Sequence, residues 1–318
     1  MKIFEIAPNQ SKREQDVALR NLVLARIRMG SPLFEFAQFY TLAGGRSDKP
    51  EKESSATGGK TRDVNNPFAN NPVDTQYGDV NLKIYGDDIR TDLAWNRWAE
   101  NGAINKHEQN LGKFAESLGR HIADHHFNGD TGTSTQQFDG LKAQVPAGNT
   151  ITANDGSGNG MQLQLGNTDA AVTSRQKFSE YMSRLIKNVA GKATVLWAPG
   201  DIISRMKATH PDKFKSVTVG DYTFDTFDNV PIVDPGYNKD ESAQILPLTE
   251  TVGTSTTCGS VYAVRYDESA YASMATSIGM DVSAVIQDGN FLYNNAEIDL
   301  DLALLSSKAA FRLEGVYL

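Results

Sequence analysis

The chain has 318 residues, enough for one large core or two modest ones, and at 39% hydrophobic and 22% charged residues it has the composition of a chain that folds. A formal net charge of -8 argues against a dedicated nucleic-acid-binding domain, which would present a dominant basic face. Residues 1–10 hold no continuous apolar run, so neither a secretory signal nor a membrane-spanning helix is expected, and the single cysteine, Cys258, has no partner for a disulfide or a metal set, which fits synthesis in a reducing compartment.

The first predicted element is a helix. Ser11 and Glu14 form a capping-box pattern, Val17, Leu19, Val23 and Ile27 recur along one side, and Gly30 with Pro32 ends it. Its other face carries Lys12, Arg13, Arg20, Arg26 and Arg28. A solvated face is the plainer reading, an acidic partner the sharper one.

An aromatic stretch follows, with Leu33, Phe34, Phe36, Phe39, Tyr40 and Leu42. A polar run from Gly44 to Asp74 then carries Lys49, Lys52, Lys60 and the breakers Pro50, Pro67 and Pro72. Beyond it Val80, Leu82 and Ile84 alternate with Asp79, Asn81, Lys83 and Tyr85, the period-two pattern of a strand with one apolar face. An irregular stretch of this length is uncommon inside a compact domain. The run is therefore expected to project, with the apolar face of its flanking segments covered by a neighbouring subunit; Phe34, Phe36, Val80, Leu82 and Ile84 are the expected contact residues.

Leu93 to Phe127 reads as one long helix, with Leu111, Phe114, Leu118 and Ile122 on one stripe, weakened by Gly102, Gly112 and Gly119 and stopped at Asn128-Gly129-Asp130. Ser174 is placed to cap a helix bearing Phe178, Met182, Leu185 and Val189, closed by Gly191. A strand at Thr194 to Trp197 leads through Pro199-Gly200-Asp201 into a short helix with Ile202, Ile203 and Met206. Strands are expected across Tyr222 to Val233, Val261 to Val264, Ala284 to Gln287 and Glu297 to Phe311.

The chemistry of an enzyme is weakly represented. His121 and His125 stand four apart on the long helix, the spacing with which one helix face offers two metal ligands, yet no third ligand is usefully placed and HEXXH is absent. Gly156, Gly158 and Gly160 follow no strand and precede no Lys-Ser or Lys-Thr, so they read as a turn. No G-x-S-x-G elbow is present. Asp87-Asp88 and Asp299 with Asp301 read as solvated carboxylates, and Trp95 and Trp98 as packing residues without a basic groove beside them. No catalytic residue, cofactor or metal site is assigned.

The order of elements resembles that of tailed-bacteriophage major capsid proteins of the Hong Kong 97 type, and local passages carry the likeness. Gln137-Phe138-Asp139-Gly140-Leu141 resembles the short turn after their long helix. Ala193 to Asp201 resembles their strand, proline, helix passage, and Phe227-Asp228-Asn229-Val230-Pro231-Ile232-Val233 resembles a strand motif in which a glycine often stands where Asn229 does. The resemblance implies an α+β fold with an N-terminal arm (1–32), an extended projecting loop (33–92), a peripheral domain with a spine helix (93–170), an axial domain (171–290) and C-terminal strands returning to the peripheral domain (291–318).

It also implies self-assembly into pentamers and hexamers of an icosahedral virion shell, built in the cytoplasm of a bacterial host. The implied partners are a scaffold protein, a portal and packaged double-stranded DNA without sequence-specific contact, and no membrane. An encapsulin-type compartment is the alternative within the same fold, and a metal-dependent enzyme using His121 and His125 a third reading. Nothing identifies an acceptor for cross-linking through Lys49, Lys52 or Lys60.

Overall fold

The computed structural model describes residues 12–42, 51–52, 61–64, 66, 76–78, 80–100, 105–219, 222–268 and 270–318, with the backbone alone for 12–18, 51–52, 76–77 and 98–100. Ser11, Lys49, Lys60, Asp79, Gly102 and the Trp98 side chain lie outside that description, as does most of the run from Gly44 to Asp74.

The chain opens with α1 (Lys12–Gly30), α2 (Leu33–Phe36), β1 (Phe39–Thr41), β2 (Glu51–Lys52), β3 (Gln76–Tyr77) and β4 (Lys83–Asp92). Helices α3 (Leu93–Glu100), α4 (Lys106–Asn128) and α5 (Leu141–Gln144) follow, then β5 (Thr150–Thr152), β6 (Met161–Gln162) and α6 (Asp169–Asn188). Next come β7 (Val195–Trp197), α7 (Gly200–Thr209), β8 (Phe214–Val219), β9 (Tyr222–Phe227) and β10 (Val230–Val233). The last strands are β11 (Glu250–Val252), β12 (Ser255–Val264), β13 (Ala272–Thr276), β14 (Met280–Val282), β15 (Ile286–Asp288), β16 (Phe291–Leu304) and β17 (Ala310–Tyr317).

Two sheets organise these elements. The smaller is built on β16, which pairs along its length with β13, β14 and β15 and, from Phe291 to Leu300, with the whole of β4; β1 joins the edge of β13 in parallel. The larger runs β5-β17-β12-β7-β10-β9-β8, with β11 on β12 and β6 on β17. Its central strands are apolar on both faces because both are covered. Val195, Trp197, Tyr262 and Val264 pack with α1, α4 and the smaller sheet, while Leu196, Val261 and Ala263 pack with α6 and α7. That double coverage is why Val195-Leu196-Trp197 and Val261 to Val264 read as unbroken apolar runs.

Several sequence expectations are corrected by the fold. The long helix is two: α4 starts afresh where the Asn105 side chain accepts from the backbone N–H groups of His107 and Glu108, a cap that satisfies the free donors of a helix start. Thr168, not Ser174, caps α6, and the Ser174 hydroxyl donates to the Gln162 carbonyl instead. β5 and β6 pair with β17 in the larger sheet, while β13, β14 and β15 belong to the smaller. Between β9 and β10, Asp228 and Asn229 both take left-handed angles, φ 49° and 63°, which closes a two-residue hairpin without a glycine.

Candidate assembly surface

The site is built from the segments that flank the polar run. Ahead of it, Ser31 Oγ accepts the Leu33 N–H and starts α2. This single turn points Phe36 into the subunit's own core, edge-on to Trp197 (5.7 Å) and to Phe224 (5.0 Å). Phe34 stacks on Phe39 at 6.2 Å and stays half-buried. β2, on the run, pairs antiparallel with β3, just past its end, Glu51 with Tyr77 and Lys52 with Gln76, as a two-stranded sheet that among the described residues joins neither of the larger ones.

Behind the run, the Asn81 N–H donates to Asp301 Oδ2 at 2.6 Å. Leu82, 7% exposed, enters a small core with Leu42, Ala275, Ala303 and Leu305, against which Val80 also packs. The strand proper begins at Lys83, and there the alternation slips. Ile84 is 58% exposed, and Tyr85 takes the buried place. Of the five expected contact residues, Phe36 and Leu82 are buried by their own chain, while Phe34 and Val80 are half-buried. Ile84 is left presenting a large apolar side chain to solvent.

Ile84 borders an open cleft of about 990 Å³ between β4 and α4, lined also by Phe114, Ser117, His121, His125 and Lys239. Within it the rings of His121 and His125 lie 4.3 Å apart, and Tyr85 Oη meets His125 Nδ1 at 2.8 Å. Burial, and then the adjacent His121, pushes the His125 imidazole down to about 4; burial, and then Lys239, lowers His121. Among the described residues no group of three His, Cys, Asp or Glu side chains is arranged to hold a metal ion, so the helical spacing of the two histidines does not extend to a ligand set.

The remaining candidates have local roles. Asp155 accepts the N–H groups of Ser157 and Asn159, so the glycine-rich stretch is a turn held by its own carboxylate. Asp88 accepts from the Tyr293 hydroxyl and the Asn295 amide. Asp299 gathers donors from Thr276, Ser277 and Ile278; burial alone would raise its carboxyl, but these bonds hold it below the usual range. Trp95 is exposed at the start of α3. Cys258 is buried on β12. Asp299 and Asp301, read from sequence as solvated carboxylates, are buried instead, and Tyr85, placed by its alternation on the polar side of the strand, faces the core; a carboxylate between Leu300 and Leu302 in an apolar strand is the signal that marks Asp301.

No family model matches the chain, and no curated protein sequence matches it. Its fold does match solved structures. The SrpI encapsulin of Synechococcus elongatus aligns with a TM-score of 0.61 at 12% identity over 89% of this chain and 86% of its own. The capsid of a native GTA particle gives 0.58 at 10% identity over 90% of each chain, and the capsid of Myoviridae phage XM1 gives 0.50 at 14% identity over 87% of this chain and 89% of that one. The chain has the α+β fold shared by phage capsid proteins and an encapsulin, the Hong Kong 97-type capsid fold. Among the described residues no helix is long and apolar enough to cross a membrane.

Proposed function

We propose that the chain is a shell subunit, the major capsid protein of a tailed bacteriophage, which assembles through pentamers and hexamers into an icosahedral container for double-stranded DNA. The observation that carries this reading is the length of the match: nearly the whole of this chain aligns with nearly the whole of proteins that form capsids or compartments. The two-stranded ribbon of β2 with β3 and the exposed Ile84 support it, because a ribbon of this size gains burial only against something else. Repeated heterologous contacts of one subunit close into rings and shells.

In this reading Ile84, with Phe34 and Val80, contacts a neighbouring subunit, a scaffold protein and a portal take part in assembly in the bacterial cytoplasm, and the function is structural and not catalytic. Electron microscopy of the purified protein tests it. Closed shells or capsomers are expected, and a monodisperse monomer at high concentration sinks the proposal. The TM-score of the encapsulin favours one second reading, a compartment enclosing protein. Particles isolated from the native host that hold DNA support the first, and particles that hold a stoichiometric protein cargo support the second.

A further inference from the structure

Carboxylates gather toward one end of β16, and cations gather beyond the other. From Gly279 to Leu304 the chain carries Asp281, Asp288, Glu297, Asp299 and Asp301 and neither lysine nor arginine. Strand register fixes which of these share a face. Asp92 and Asp288 stand opposite Phe291, Arg90 and Ile286 opposite Tyr293, and Asp281 opposite Glu297, so all of them point away from the core on the outer side of the smaller sheet. Ile286 and Phe291 are exposed there among the exposed acids Asp281, Asp288 and Glu297. Two carboxylates directly across from each other, as at Asp281 and Glu297, cost stability. Arg90, the cation of this face, lies over the Tyr293 ring, and Arg97 follows on α3. Among the described residues Asp92, Asp281, Asp288 and Glu297 form no ion pair.

Past the far end of β16, the turn at Ser307 and Lys308 is tied to the end of α6. The Ala190 N–H donates to the Lys308 carbonyl, and the Arg265 guanidinium donates to the Ala190 carbonyl. Exposed Lys187 and Arg184 stand on the last turns of α6, and exposed Lys192 follows it. Among the described residues Arg184, Lys187, Lys192 and Lys308 form no ion pair, and with Arg265 they outnumber Asp267 and Glu268, which adjoin them in the chain.

We propose that these two surfaces are the two sides of one contact between copies of the chain: the outer face of β14, β15, β16 and β4 in one subunit receives the corner made by the end of α6 and the Lys308 turn of the next. The proposal rests on the reading of the chain as a self-assembling subunit and names the surfaces that meet. Within one subunit they stay apart, because the 14 residues of β16 span about 40 Å and Glu297 alone stands about 20 Å from the end of the strand. Each copy offers the face to one neighbour and the corner to another, which makes the contact heterologous and repeatable. Ile286 and Phe291 lose water at its centre, and the charges around them set register and rate of encounter. A nucleic acid would satisfy the corner alone and leave the acidic face, with its apolar side chains, uncovered.

Carbodiimide coupling, which joins a carboxylate to an amine in ion-pair contact, tests the proposal on the purified full chain. Equal parts of heavy-isotope-labelled and unlabelled protein distinguish links between copies from links within one. Links between copies are expected from Asp281, Asp288 or Glu297 to Lys187, Lys192 or Lys308. The pair Asp281→Lys with Glu297→Lys is expected to weaken association about tenfold or more, and so is Lys187→Glu with Lys308→Glu; mixing the two doubly substituted proteins is expected to restore it. All four positions are exposed, and unchanged circular dichroism separates lost contact from lost fold. Wild-type protein that associates without these links, or variants that do not recover on mixing, overturns the proposal and leaves the shell reading standing. Wild-type protein that never associates overturns both.

Discussion

Gly119 of α4 lies against the backbone of α1: a Cβ built on it would sit 2.4 Å from the Ile27 carbonyl oxygen, and one built on Gly30 would sit 2.3 Å from the Glu116 carbonyl oxygen. The two helices touch backbone to backbone. Helix propensity alone favours Gly119→Ala by about 1 kcal/mol. The clash reverses that sign, because neither backbone can yield without moving a helix. Gly119→Ala is expected to lower stability by about 1 to 3 kcal/mol in urea unfolding. A gain would show that the helices are free to separate.

Leu82 and Ile84 are expected to part company. Leu82→Asp places a charge in the small core beside Leu305 and costs the isolated subunit about 3 kcal/mol or more. Ile84→Asp changes an exposed side chain, so its unfolding free energy should stay within about 0.5 kcal/mol of wild type while shell yield falls. Shell yield equal to wild type for Ile84→Asp would remove Ile84 from the interface.

His126 makes the fold sensitive to acid. It is wholly buried, its Nε2 2.7 Å from the Tyr266 hydroxyl, and burial pushes it from 6.5 down to about 3. The unfolded chain binds a proton there that the folded chain refuses. Stability is full above about 6.5 and falls as the pH drops toward 3, by at most about 1.4 kcal/mol per pH unit for this group. Urea midpoints between about pH 7 and pH 5 should fall less steeply in His126→Gln than in the wild type; parallel lines would assign the acid sensitivity to other groups.

Asp301 acts in the reverse sense. Its folded value of about 6 stands above the ordinary 3.8 of an aspartate, so its favourable contribution is complete below 3.8 and is lost as the pH rises through 6. Asp301→Asn keeps an acceptor for the Asn81 N–H and carries no charge. It is expected to stabilise the subunit on the order of 2 kcal/mol near pH 8 and to make little difference near pH 4. Equal stability of the two proteins at pH 8 would mean that water reaches the carboxylate.

The path of the chain was largely legible in the sequence. The stripe of Leu111, Leu118 and Ile122, the apolar run at Val195 to Trp197 and the Pro199-Gly200 start of α7 all stand where their patterns placed them, because helix period, two-sided burial and cap chemistry act over a few neighbouring residues. The contact residues were less legible. Val80, Leu82 and Ile84 share a period of two only while the strand is regular, and it begins at Lys83, so the alternation changes phase between Leu82 and Tyr85. Phe36 likewise looked free for a neighbour because Trp197 and Phe224, which cover it, lie far along the chain.

Local residue chemistry determined that this protein has an aromatic stretch, a polar run without the means to build a core, a spine helix and a strand-rich C-terminal half. Only the tertiary structure decided which aromatic and aliphatic side chains stay exposed, that Asp301 meets Asn81 while His125 meets Tyr85, and that Gly119 is a point of helix contact and not a weakness. Each of these depends on groups far apart in the chain meeting in space, and burial and Coulomb interaction depend on that distance and not on separation in sequence.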